Sequence, residues 1–156
     1  MKKLKLLFIC LVVLIPIKET YAQLNKDSEK LFKEKYYAAE KTITDGNYTA
    51  ALPLFQELNS IDPENANINW RIGVCLLNSS TGKGNALPYL EKAMIKISPD
   101  FLYDTHEEQN APVQCYFDLG QTYRLNNKLD TAIGTFNKFS SYIDEKDAEA
   151  ITAVTR

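Results

Sequence analysis

Apolar residues recur along this chain at helical spacing, in blocks separated by short polar turns. From Tyr116 the run Tyr-Phe-Asp-Leu-Gly-Gln-Thr-Tyr places Leu119, Gly120 and Tyr123 on one helix face, and Asn126-Asn127-Lys128 breaks it with a polar turn. Ala132, Phe136 and Phe139 then recur at intervals of four and three, the stripe of a second helix. Upstream, Ala51, Leu52, Phe55 and Leu58 follow the turn Gly46-Asn47, and Ala86, Leu90 and Ala93 follow the turn Ser79 to Asn85. Pro63 and Pro99 close these two blocks, since the residue before a proline disfavours helix. The pattern predicts helices over about 28–44, 48–61, 66–78, 85–97, 112–125 and 129–142, with Pro53 and Pro88 early in theirs. Another helix starts in 147–156, striped by Ala150, Ile151 and Val154. Two readings of it stay open: a helix capping the stack, or the front of a longer protein.

Paired helices at a period of about 34 residues, with small residues where they cross, resemble the tetratricopeptide repeat (TPR). Three copies are placed at 32–65, 66–99 and 113–144. The first lacks the Leu-Gly of the motif, having Ala38 and Ala39, and the second has Ile72-Gly73 with Trp70 one place late. The resemblance implies an all-α fold, a right-handed TPR helical-hairpin solenoid of about three repeats plus a terminal helix. A repeat of this kind cannot bury its apolar face alone and stacks on its neighbours, generating a shared groove. The segment 100–112 departs from the motif and carries Phe101 and Tyr103, read as a surface excursion with one of these rings folded back onto the stack.

The first 22 residues read as a signal peptide. Lys2, Lys3 and Lys5 precede the apolar run Leu6–Ile17, and Thr20-Tyr21-Ala22 supplies small residues for cleavage before Gln23. The run is short for a bilayer-spanning helix, which needs about 20 apolar residues. The organisation read here is a signal peptide (1–22), a flexible start (23–31) and a TPR domain (32–156). No transmembrane segment is expected in the mature chain, and the predicted localisation is the periplasm or the outer membrane.

Composition narrows the function. The whole chain carries a formal charge of −2, and loss of residues 1–22 would leave 14 basic and 19 acidic residues. Such a balance lacks the basic stripe that nucleic acid requires. His106, the single histidine, stands among Asp104, Glu107 and Glu108 and is read as part of a solvated loop, with no metal set and no cofactor. Ser79 to Gly84 departs from the phosphate-loop spacing and reads as a turn. Cys75 and Cys115 take small positions of first helices and read as space-filling thiols, their pairing left open. No nucleophile–base pair can be named, so the chain is not read as an enzyme.

In tetratricopeptide proteins the first helices line the groove. That resemblance implies partner-binding candidates at Tyr36, Tyr37 and Glu40 in repeat one; Trp70, Arg71, Val74 and Asn78 in repeat two; and Phe117, Asp118, Gln121 and Arg124 in repeat three. Tyr36, Trp70 and Phe117 could equally be inter-repeat packing. The carboxylate clamp of chaperone-binding members is missing, because its positions hold Tyr36, Glu40, Gln114 and Asp118. The leader, the long excursion and the phrase Leu-Gly-x-x-Tyr-x-Leu-Asn (119–126) also resemble the N-terminal TPR segment of Bacteroidetes OmpA-like/WD40-like envelope proteins. The function expected is a protein-interaction module binding a peptide or protein partner. The alternatives are a scaffold of an envelope or secretion assembly and a periplasmic small-ligand or glycan-binding protein.

Overall fold

A computed structural model describes residues 2–80 and 82–143, with side chains from Gln23 onward. The expected terminal helix at 147–156 lies outside the described residues. Helix α1 runs Lys2–Thr44, α2 Tyr48–Ile61, α3 Ala66–Asn78, α4 Leu87–Ala93, α5 Gln114–Leu125 and α6 Leu129–Ser140. A single 3₁₀ turn, Lys83–Asn85, precedes α4, and two short strands, β1 Ile97–Ser98 and β2 Ala111–Pro112, pair in parallel. The chain divides into two units, one ending at Lys35 and the other starting at Tyr36.

In the first unit the helix is already formed well before Ser28, where the apolar pattern places its start. Residues 23–35 are mostly good helix formers, and Lys30 and Glu34 pair at 3.8 Å one turn apart.

The second unit is a stack of helical hairpins. Its core is aliphatic and aromatic: Tyr36, Phe55, Leu58, Ile72, Leu90 and Leu119 are fully enclosed. Two of the hairpins, α3–α4 and α5–α6, close where a glycine lets the paired helix approach. A Cβ on Gly120 would lie 2.5 Å from Phe136 Cε1, and one on Gly73 would lie 2.5 Å from Leu90 Cγ. Neither ring nor buried leucine could give way without repacking.

The turns after α1 and α5 share one geometry. Gly46 (φ 77°) and Asn127 (φ 58°) adopt the left-handed conformation just past each helix end. The following amides, Asn47 and Lys128, each reach back five residues, to the Thr42 and Tyr123 carbonyls at 2.9 Å. Side-chain caps then start α2 and α3: Asn47 accepts from the Ala50 amide at 3.1 Å, and Asn65 from the Ile68 amide at 3.0 Å.

The fourth helix is shorter than the apolar pattern suggests. It ends at Ala93 rather than near Ile97, because the chain turns out of the helix and Ile97–Ser98 pairs with Ala111–Pro112. The Ala111 amide donates to the Lys96 carbonyl at 2.7 Å, which fastens the two ends of the 100–112 excursion together.

Candidate functional site

The face formed by the first helices of the hairpins carries the predicted contact residues, and three polar links join it. Between α1 and α3, the Arg71 guanidinium meets the Glu40 carboxylate at 2.9 Å, with both side chains largely enclosed. Asn67 donates to the Tyr36 hydroxyl at 3.1 Å in the same interface. Between α3 and α5, the Trp70 indole N–H donates to Asp118 Oδ2 at 2.7 Å.

Burial sets the electrostatics. It raises the Glu40 carboxyl above the ordinary glutamate range; Arg71 opposes the shift, and Asp104 adds to it by like-charge repulsion. It pushes the Asp118 carboxyl up to about 6, against the hydrogen bonds from Trp70 and Gln114. Burial also raises both cysteines, Cys75 to about 12. Cys75 and Cys115 are free buried thiols.

The excursion runs along the surface, with Leu102 and Tyr103 exposed and Phe101 turned back onto the stack. From Phe101 to Asn110 it lies across the first helices of repeats one and two as a strap. Phe101 is buried, and its ring meets Trp70 edge-on at 5.7 Å; Tyr103 stands 6.4 Å from the same indole and 4.6 Å from Phe101. The Arg71 guanidinium carbon lies 4.5 Å from the Trp70 ring centre, so the indole is enclosed by rings and a cation. Helix donors then meet the strap's main chain. The Tyr37 hydroxyl reaches the Asp104 carbonyl at 3.3 Å, Asn67 the Glu108 carbonyl at 3.4 Å, and the Ala66 amide the Gln109 carbonyl at 2.9 Å.

His106 corrects the expectation of a solvated loop. It is buried, 5.8 Å from the Tyr37 ring. Glu108 shapes the strap from within, accepting from the Leu102 amide at 3.1 Å and from the Asn110 amide and side chain at 2.8 and 2.9 Å. Burial would raise its carboxyl, yet these donors outweigh burial and hold it below the ordinary range. Among the described residues no group of three or more His, Cys, Asp or Glu could hold a metal ion.

The candidates therefore fall into three groups. Tyr36 is fully enclosed, packing on Phe55 at 6.3 Å, and Trp70, Arg71, Glu40 and Asp118 form the links between hairpins. Tyr37 keeps an exposed edge beside the strap. Val74, Phe117 and Gln121 are half-buried, and Asn78 and Arg124 are exposed beyond it. Phe101 and Tyr103, with Pro112, Phe139 and Tyr142, border a separate cleft of about 380 Å³ that none of these candidates lines. Sequence reasoning missed Asn67, His106 and Glu108 as organisers of this surface. A closely spaced aromatic pair followed by a carboxylate was the only local signal.

Among solved structures the chain is similar to the type III secretion translocator chaperone SycD of Yersinia enterocolitica, with a TM-score of 0.58 and 19% identity, over 86% of this chain and 92% of that one. That likeness shows a TPR-like helical-repeat fold. No protein-family model matches the chain, and no curated protein matches it. No helix among the described residues is long and apolar enough to cross a membrane.

Proposed function

We propose that this chain is an exported protein–protein interaction module that holds an extended peptide or protein partner against the first-helix face of α1, α3 and α5. The observation that carries the reading is the open half of that face. Val74, Asn78, Gln121 and Arg124 offer it apolar, amide and cationic groups that are half-buried or exposed, and Phe117, half-buried with its ring against Phe136 and Phe139 of α6, borders them. Such a mixture on a rigid helical base suits recognition of a polypeptide. The fold it shares with a protein described as a translocator chaperone supports a polypeptide as the partner. The small-ligand alternative loses support, because Phe101 and Tyr103 already stand on the Trp70 indole.

The basic-then-apolar start supports export, and the Leu119–Asn126 phrase supports a place in an envelope protein of the OmpA-like kind. Amino-terminal sequencing of the protein from a periplasmic fraction tests export: Gln23 as first residue is expected, and an intact Met1 end would overturn it.

The binding reading is tested by panning a random peptide library on the full chain. Selected peptides are expected to lose at least tenfold in affinity to an Arg124→Glu/Phe117→Ala variant whose helical circular dichroism is unchanged. Peptides that bind this variant equally well, or a library that yields none, would overturn it.

A further inference from the structure

We propose that the strap Phe101–Asn110 occupies, within its own chain, part of the partner's site. The partner is then an extended segment with two aromatic residues separated by one residue, and it enters by displacing the strap. This rests on the peptide-binding reading above and adds the partner's chemistry and the competition for the site.

The strap already makes the contacts that such a ligand would make. Its two rings stand on Trp70, while donors on the helices and on Tyr37 meet three strap carbonyls, those of Asp104, Glu108 and Gln109. Carbonyl capture does not depend on side-chain identity, so an incoming extended backbone could satisfy the same donors. The ring pair supplies the sequence requirement.

The strap is also built to leave. Leu102 and Tyr103 are 62% and 55% exposed, so only part of its apolar surface is committed to the site. The Glu108 carboxylate, with three hydrogen bonds inside the strap, ties the strap to itself, and only the Glu108 carbonyl meets a helix, at Asn67. Its ends are fixed by the Ile97–Ser98 and Ala111–Pro112 pairing, so release is a local opening of a closed loop and not unfolding of a hairpin.

A site occupied by its own chain lowers the apparent affinity of every competitor by the fraction of molecules in the open form.

The test uses the full chain and its single tryptophan, Trp70, as reporter. The probe is a synthetic peptide with the sequence of residues 99–110, which holds no tryptophan. It is titrated into the natural chain, into Tyr103→Ala, and into Phe101→Ala/Tyr103→Ala. Tyr103→Ala alters a mainly exposed side chain and keeps the test meaningful should the double variant fold poorly. The expected result is a shift in Trp70 emission with a dissociation constant at least tenfold lower for the variants than for the natural chain. Equal affinity for all three proteins would overturn the competition while leaving a peptide-binding surface in place. No binding to a folded variant would overturn the proposal altogether. If library peptides are still selected at Phe117 and Arg124, the general reading survives that failure; if none are, both fall.

Discussion

Trp70 and Asp118 illustrate how one side-chain pair can both join repeats and respond to pH. The indole N–H needs an acceptor when enclosed, and the carboxylate supplies it at 2.7 Å, at the cost of holding a charge where water is scarce. A carboxyl with a folded-state pKa of about 6, above its unfolded value, favours the fold while protonated. Its stabilisation is therefore present below the unfolded pKa and is lost as pH rises through about 6. Glu40, also raised, acts in the same direction, whereas Glu108, held low, gives stability that is lost on acidification. Asp118→Asn keeps an acceptor for the indole and removes the buried charge. It is expected to raise stability at pH 7.5 by on the order of 2 kcal/mol and to flatten the fall between pH 4 and 6. Urea unfolding of both proteins across that range checks this, and an unchanged pH slope in the variant would refute the assignment.

At the level of elements, the strap shows what local pattern can and cannot reveal. Helices α2 and α3 were legible to their ends, because Asn47, Asn65 and Pro63 are local punctuation acting over three or four residues. The end of α4 was not. Met94, Ile95 and Ile97 continue an apolar run that reads as helix, and only pairing with a segment fourteen residues away draws them out of it. His106 was misplaced for the same reason: its polar neighbours suggest solvent, while its surroundings are supplied by Tyr37, far off in sequence. Glu108 is the keystone of the strap's shape. Glu108→Ala leaves the Leu102 and Asn110 amides without their acceptor, which costs about 1–3 kcal/mol where such groups stay buried. Limited proteolysis should then cut within 101–110 several-fold faster, with α-helical content retained. Unchanged cutting would mean that the helix donors alone hold the strap.

Across the whole second unit, stability is carried by neighbour-to-neighbour interfaces, as in other stacked repeats. The all-helical hairpin stack was readable because each repeat states its own small residue, turn and stripe, as at Gly120, Asn127 and Ala132. The polar links between repeats were not readable as links. Trp70, Glu40 and Arg71 have the composition of a contact surface, and only the packing of α1 against α3 and α3 against α5 turns them inward. Arg71→Met removes one partner of a largely buried ion pair and should cost about 3 kcal/mol or more. Adding Glu40→Gln should restore much of that loss, because the stranded charge goes with it. A double-mutant cycle by urea unfolding measures the coupling, and strict additivity would show the pair to be incidental.

The parallel pairing of Ile97–Ser98 with Ala111–Pro112 has a consequence for how this surface can be altered. Both feet of the excursion stand side by side on the body, so the span between them is free to lengthen, shorten or be rewritten without shifting the register of the flanking hairpins. The exposed tip around Leu102–Asp104 is thus a natural splice point, where a new specificity could be exchanged as a cassette.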